Sequence, residues 1–301
     1  MDKTSRLKIY GVLGYPAKHS LSPLMHNAAF RALKINAEYK IFEKKPEELE
    51  SFLLKDVFIN DISGFNITIP HKIRAREILE SKFPVTSLGK ILPYVKITGA
   101  INTVKRNADG TLEYINTDVT GFSKSLREDL KFSPKDKNIL LIGCGGAGRA
   151  VVAGLVWKAP HPAKIYIYEC NNETVESARK HFAQFTVLGG KIEFISSEQI
   201  PEVIKKCKLL VNASPVGMKG EDFSVVDKNL LHKNLYVYDV VYNRDRETRL
   251  IKDAKSMGLR TENGLSMLLH QGVLAFGFWT GKASKEVEEV MRQALNEEVS
   301  G

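Results

Sequence analysis

The sequence predicts an α/β protein of two domains. Three observations point to it. Strand-like and helix-like segments alternate along most of the 301 residues, the pattern of largely parallel sheets covered by helices. An apolar run, Asn138-Ile-Leu-Leu-Ile-Gly143, ends in glycines at 143, 145 and 148, and a helix-like Ala/Val/Leu segment comes next. That is G-x-G-x-x-G spacing in a strand–turn–helix setting, the mark of a Rossmann-type doubly wound sheet. The length also suffices for two substantial cores.

Lys8–Val12 reads as a strand, Pro23–Leu33 as a helix, Glu38–Phe42 as a strand and Pro46–Leu54 as a helix. Gly64–Ile69 is a further strand, and Pro70 suits the first turn of the next helix, where its missing N–H costs nothing. These strands predict a mostly parallel first sheet. Thr111–Ile115 leads into Asn116-Thr-Asp118 and a helix reaching about Leu130. Ser133–Lys137 is a polar entry loop to the strand at 138. Lys164–Glu169 is the next strand, rich in β-branched and aromatic residues. Further strands lie near Ile192–Ile195, Leu209–Val211 and Tyr236–Val240. Asn263-Gly264 is a break, Leu265–Thr280 an apolar helix too hydrophobic for a surface, and a charged helix runs from about Ser284. Two α/β units with a crevice at their strand C-termini is the expected architecture.

Each glycine of the central motif has a physical role. Gly143 permits the tight strand-to-helix turn, Gly145 removes the Cβ that would block a pyrophosphate, and Gly148 lets helix and strand pack closely. The free N–H groups and positive dipole end of the helix then hold phosphates. The alternative is a purely structural glycine turn. Glu169 ends the next strand roughly 20 positions beyond Gly148, where a carboxylate accepts from both adenosine ribose hydroxyls. It favours NAD, because a 2′-phosphate meets like-charge repulsion unless an arginine neutralises it. Cys170, Asn171 and Asn172 are not cationic, and Arg179 lies about two turns along the next helix. The competing reading of Glu169 is a solvated strand-end residue.

Composition sets limits. Hydrophobic content of 43% and charged content of 26% are those of an ordinary globular protein. No apolar run approaches the roughly 20 residues that span a bilayer, and no signal-peptide core comes after the N-terminus. The three cysteines have no disulfide or metal spacing, which makes the cytoplasm the expected location. The formal charge of +9 is scattered and not blocked with aromatics, so no nucleic-acid partner is expected. The seven histidines form no ligand cluster and no metal is expected.

Four short stretches place polar side chains where a core would not want them. Ser20 and Ser22 lie two residues apart at a helix start, as caps or as a cradle for a carboxylate. Asn66 and Thr68 share one face of a strand. Lys72 projects from the first turn of the next helix, where a cation is unfavourable by about 0.3–1 kcal/mol. Ile101-Asn-Thr103 and Asn116-Thr-Asp118 add amides and a carboxylate at strand ends.

Ser-x-Ser-Pro, Asn-Ile-Thr-Ile-Pro-x-Lys, Gly-Ala-Ile-Asn-Thr and Asn-Thr-Asp, in this order ahead of Gly-x-Gly-Gly-Ala, resemble the shikimate dehydrogenase family, which includes quinate/shikimate dehydrogenases. The resemblance extends to Asn212–Met218, Asp239–Asn243 and Gly264–Gln271, and so covers nearly the whole chain. It implies a substrate-binding catalytic domain at 1–117 completed by helices at 264–301, and a Rossmann cofactor domain at 118–263. It implies interconversion of shikimate and 3-dehydroshikimate with a nicotinamide cofactor, Lys72 and Asp118 being the catalytic pair. Lys72 gives a proton to the ketone oxygen during reduction and takes it back in reverse; Asp118 holds the ammonium and is placed to bond a ring hydroxyl. By the same resemblance Ser20 and Ser22 clamp the carboxylate, and Asn66, Thr68, Asn102 and Gln271 contact ring hydroxyls and carboxylate. Tyr242 stands at the crevice mouth. Gly143, Gly145, Gly146, Ala147, Gly148, Glu169 and Gly264 belong to the cofactor site, with Met218, Val240 and Met267 near the nicotinamide.

The departures are informative. NADP-using members usually carry Asn-Arg-Thr and a further arginine where this chain reads Glu169-Cys-Asn-Asn-Glu-Thr174. NAD is therefore expected over NADP, a preference more usual in the quinate/shikimate branch. Against that branch, Ser22 stands where a threonine is associated with quinate. Shikimate is the expected substrate, with quinate or dual use as the alternative enzyme. A sensor that kept the fold but lost chemistry is the reading from another class, and retention of Lys72 and Asp118 counts against it. The partner is a small hydroxylated cyclic carboxylate, and the resemblance allows a monomer or a homodimer.

Overall fold

A computed structural model describes residues 6–83, 93–156, 160–219, 223–243 and 247–300. The fold is α/β, and the chain divides into two compact units, Met1–Thr117 with Leu268–Gly301, and Asp118–Met267.

The first unit is built on five strands in the order β2-β1-β3-β4-β5: β1 (Lys8–Gly14), β2 (Ala37–Glu43), β3 (Ile62–Ile67), β4 (Thr103–Arg106) and β5 (Leu112–Ile115). β1 is flanked in parallel by β2 and β3, but β3–β4 and β4–β5 are antiparallel. The sheet is thus mixed, not mostly parallel. The cause is a hairpin: the Asn107 carbonyl accepts from the Gly110 N–H, and Gly110 sits at φ 82°, a left-handed conformation natural to glycine. The sequence does not predict β4 as a strand, since two of its four residues are cations and the alternation is too short to read. The helical stretch from Pro46 runs to Ile59, past the expected Leu54, through a π-helical turn at Phe52–Asp56. Pro70 is not in the first helical turn. The His71 N–H donates to Thr68 O (3.0 Å) in a separate turn, and the helix begins at Lys72.

Apolar residues from β3, β4, the 46–59 stretch and the helix Lys72–Lys82 fill the core on one face, Phe65, Val104, Phe52 and Leu79 among them. On the other face the helix Ser22–Ala32 packs against β1, β2 and the helix Lys285–Ser300. Trp279 anchors the end of the helix Gly264–Thr280 by donating from Nε1 to the Val104 carbonyl at 2.9 Å.

The second unit is a six-stranded, wholly parallel sheet in the order β11-β10-β9-β6-β7-β8. β6 (Asn138–Ile142) lies between β7 (Lys164–Tyr168) and β9 (Cys207–Asn212), so connections depart to opposite sides of it. That reversal is the switch point at which doubly wound sheets bind dinucleotides, and the strand order is that of the Rossmann fold. β8 (Ile192–Ile195) and β10 (Tyr236–Asp239) fall where expected. β11 (Thr261–Glu262) is not legible in the sequence, because two residues carry no periodicity. The helices Asp118–Glu128 and Gly146–Val156 pack together, with Ser123 Oγ donating to Gly154 O at 3.0 Å. The boundary between the units falls at Leu268, inside the helix Gly264–Thr280, four residues beyond the expected Gly264. No helix among the described residues is long and apolar enough to cross a membrane.

Candidate active site

The first unit gathers most of the polar residues singled out from sequence. Ser20 is the partial cap: its Oγ accepts from the Ser22 N–H at 3.2 Å. Ser22 opens the helix, is 5% exposed, and its hydroxyl has no protein partner among the described residues. Capping therefore accounts for one of the two hydroxyls and leaves the second without a protein role among the described residues. Thr68 comes directly after β3, half-buried, its N–H bonded to Leu13 O at 2.8 Å. The Lys72 carbonyl accepts from the Ile101 N–H at 3.0 Å, fixing that helix start beside the segment carrying Asn102. His71, 1% exposed, ties the same turn down through Nε2 and the Lys44 carbonyl at 2.7 Å.

Asn66, Asn102 and Gln271 converge on one buried cluster with Thr103 and Thr117. Asn102 Nδ2 donates to Thr117 Oγ1 (3.0 Å) and to Gln271 Oε1 (3.3 Å). Asn102 Oδ1 accepts from the Thr117 N–H (2.7 Å) and the Thr103 hydroxyl (3.0 Å). Asn66 is wholly engaged inside the protein. Its Oδ1 accepts from Tyr39 Oη at 2.7 Å, and Nδ2 donates to Asn102 O at 3.2 Å and Thr103 Oγ1 at 3.0 Å.

The second unit carries the glycine motif at the C-terminal end of β6. Gly143 adopts φ 92°, and a Cβ there would meet the Ser214 N at 2.7 Å. A Cβ on Gly148 would collide with the Gly143 carbonyl, whereas one on Gly145 would project into open space. Two glycines are thus required by the fold, and the third keeps clear the place a pyrophosphate approaches. These residues fit a dinucleotide. Gly146 and Ala147 supply the first helical N–H groups beside it.

Glu169 sits at the end of β7 and is held rigidly. Its Oε2 accepts from the Cys144 N–H (2.8 Å), and its Oε1 from the Asn171 N–H (3.0 Å). Each carboxylate oxygen keeps accepting capacity for a hydroxyl. Among the described residues it makes no ion pair; Arg179 instead covers the Phe194 ring at 4.7 Å and pairs with Glu176. Cys144 is fully buried, and burial pushes its thiol up to about 12, so it is an inert filler.

The ends of β9 and β10 bring Asn212, Asp239 and Val240 together. Asp239 is buried and accepts from Asn212 Nδ2 (2.9 Å), the Val241 N–H (3.0 Å) and Thr248 Oγ1 (2.6 Å). Burial pushes its carboxyl up to about 6 against those three bonds. The Val240 N–H donates to Asn212 O at 2.8 Å, and a Cβ on Gly264 would strike the Val240 carbonyl. Met218 is 50% exposed, Met267 buried, and Tyr242 half-buried. Asp118 begins its helix at 5% exposure.

Comparison with known proteins decides the family. Residues 12–104 match the profile of the shikimate dehydrogenase substrate binding domain, and residues 264–295 that of the shikimate 5'-dehydrogenase C-terminal domain. A relative from Desulforamulus reducens named shikimate dehydrogenase (NADP(+)) is 35% identical, covering 98% of this chain and 97% of its own. The chain belongs to the shikimate dehydrogenase family. Among solved structures, a shikimate dehydrogenase in complex with NADP+ superposes with TM-score 0.81 at 33% identity, covering 98% of this chain and 96% of its own. A shikimate 5-dehydrogenase from Listeria monocytogenes, in complex with shikimate and NAD, has TM-score 0.75 at 29% identity, over 97% and 99%.

As a shikimate dehydrogenase family member the chain is an NAD(P)-dependent oxidoreductase. Its sequence marks Asn212 only as the start of a family segment, and does not reveal Tyr39, His71 or Thr248 as part of the surroundings of the site. Thr248 has one legible signal, as an N-cap for the helix Arg249–Ser256. The other three act through contacts across the fold.

Proposed function

We propose that this chain interconverts shikimate and 3-dehydroshikimate and prefers NAD to NADP. The observation that carries the substrate is similarity to a named shikimate dehydrogenase across 98% of the chain. The residues supply a route. Ser22, with Ser20, binds the carboxylate: a hydroxyl at a helix start with no protein partner among the described residues suits an anionic oxygen. Asn102 and Gln271 bind ring hydroxyls, and Thr68 adds a hydroxyl beside them. Lys72 is the acid/base, and Asp118 is the carboxylate of the same proton-transfer pair. Bound nicotinamide supplies or accepts the hydride. Lys72 donates a hydrogen bond and then the proton to the oxygen that gains negative charge in reduction, and in oxidation withdraws that proton.

NAD preference rests on Glu169, which is fixed by two backbone N–H groups and has no cation paired with it among the described residues. The relatives are named for NADP(+), so this chain departs from them at the ribose. The exchange Lys72→Ala tests the chemistry. Turnover of shikimate should drop by about 10²–10⁴-fold, the usual contribution of a general acid–base, with the circular dichroism spectrum unchanged. Activity within a few fold of the parent excludes Lys72 from proton transfer.

A further inference from the structure

The buried cluster around Asn102 continues outward to a residue far from the substrate-contact motifs. Tyr39 lies on the edge strand β2, 2% exposed, and is held from two sides by the helix that starts at Ser22. An edge strand leaves main-chain groups without ladder partners. Here the Asn27 carboxamide takes both, donating to Tyr39 O at 3.0 Å and accepting from the Tyr39 N–H at 2.8 Å. His26, the preceding residue, stacks its ring on the phenol with centroids 4.4 Å apart and planes 6° from parallel.

The phenol so fixed has one proton to give, and it goes to Asn66 Oδ1. The Asn66 amide turns both its N–H groups toward β4, onto Thr103 Oγ1 and onto Asn102 O, a carbonyl that can only accept. Thr103 Oγ1 is in turn within hydrogen-bond distance of Asn102 Oδ1 and Thr117 Oγ1. Asn102 Oδ1 also accepts from the Thr117 N–H, and its amino group faces Gln271. In a buried network each donor must find an acceptor, so displacing one member disturbs the next.

We infer that Tyr39 is a positioning residue of this site, and that its hydroxyl, acting through Asn66 and Thr103, helps hold Asn102 in the place from which it meets the substrate. The inference rests on the substrate reading proposed above, and it makes Asn66 a link in the chain and not a substrate ligand. Loss of the Tyr39 hydroxyl leaves Asn66 Oδ1 buried without its donor. The Asn66 side chain then lacks the bond that holds it against β4, and its contacts to Asn102 O and Thr103 Oγ1 loosen.

Tyr39→Phe keeps the ring, the stacking on His26 and the Asn27 clasp. Steady-state kinetics should show KM for shikimate raised about tenfold, the scale of one net hydrogen bond, with KM for the cofactor and the thermal midpoint little changed. A merely structural role lowers the midpoint and the active fraction and leaves the KM of the surviving enzyme where it was. Thr103→Val breaks the same relay one link on. In that background Tyr39→Phe should add nothing further to KM, since residues acting through one path are not additive. An unchanged KM in Tyr39→Phe, or additive effects in the double variant, overturns the inference while leaving the substrate reading intact. A parent enzyme that does not turn over shikimate overturns both.

Discussion

Replacing Glu169 by Gln removes the negative charge at the end of β7 while nearly preserving shape. In the proposed complex the carboxylate bonds the ribose hydroxyls, so a 2′-phosphate would lie about 4 Å from it; one charge pair at that distance costs about 4 kcal/mol at an effective dielectric of 20. Glu169 is half-buried, and solvent and salt cut this to about 1–2 kcal/mol. Relief of that repulsion should raise kcat/KM for NADP by about five- to thirtyfold. NAD should suffer. The two carboxylate oxygens accept from the Cys144 and Asn171 N–H groups, and a carboxamide can serve only one of them, since its amino group faces a donor at the other. That loss should lower kcat/KM for NAD about tenfold. The assay is initial rate of cofactor reduction at saturating shikimate, over a range of each cofactor, at low and high salt. NADP activity unchanged in the variant would mean that like-charge repulsion at Glu169 does not select the cofactor.

Two further predictions concern the first unit. Ser22→Ala removes a hydroxyl that has no protein partner among the described residues, so stability should hold within about 0.5 kcal/mol while KM for shikimate rises about tenfold. A fall in stability with KM unchanged would return Ser22 to a structural role. His26 is fully buried with neither ring nitrogen hydrogen-bonded among the described residues, and burial lowers its pKa from 6.5 to about 3. The unfolded chain therefore binds a proton between those values that the folded chain refuses. Stability from this group is intact above pH 6.5 and declines as pH falls toward 3, by about 3 kcal/mol at pH 4.5. Asp239, raised from 3.8 to about 6, gives a slope of the opposite sign in its own window, but it is common to parent and variant. Urea midpoints for His26→Phe should accordingly fall less between pH 7 and pH 4.5 than those of the parent; identical falls would contradict the assignment.

What is legible in the sequence is local. Gly143, Gly145 and Gly148 can be read because a tight turn, a clear approach and a close packing each demand the absence of a side chain at a fixed spacing. Long strands such as β1 and β6 announce themselves by apolar runs. The features that escape sequence reading depend on partners distant along the chain. β4 owes its existence to pairing with β3 and β5, not to Thr103-Val-Lys-Arg106 itself. Asn66 reads as a ligand because it shares a strand face with Thr68, and only the fold reveals Tyr39, 27 residues away, against it. Ser20 and Ser22 are equivalent in the sequence; the structure separates them, one accepting a backbone N–H and the other not bonded to protein among the described residues.

A shikimate enzyme that uses NAD has a plain kinetic signature. The measurement is kcat/KM of the purified protein for shikimate and for quinate, each with NAD and with NADP. Shikimate with NAD should dominate the four. Dominance of NADP with shikimate would show that Glu169 does not govern the cofactor, dominance of quinate would move the substrate, and no rate in any combination would contradict the proposed activity itself.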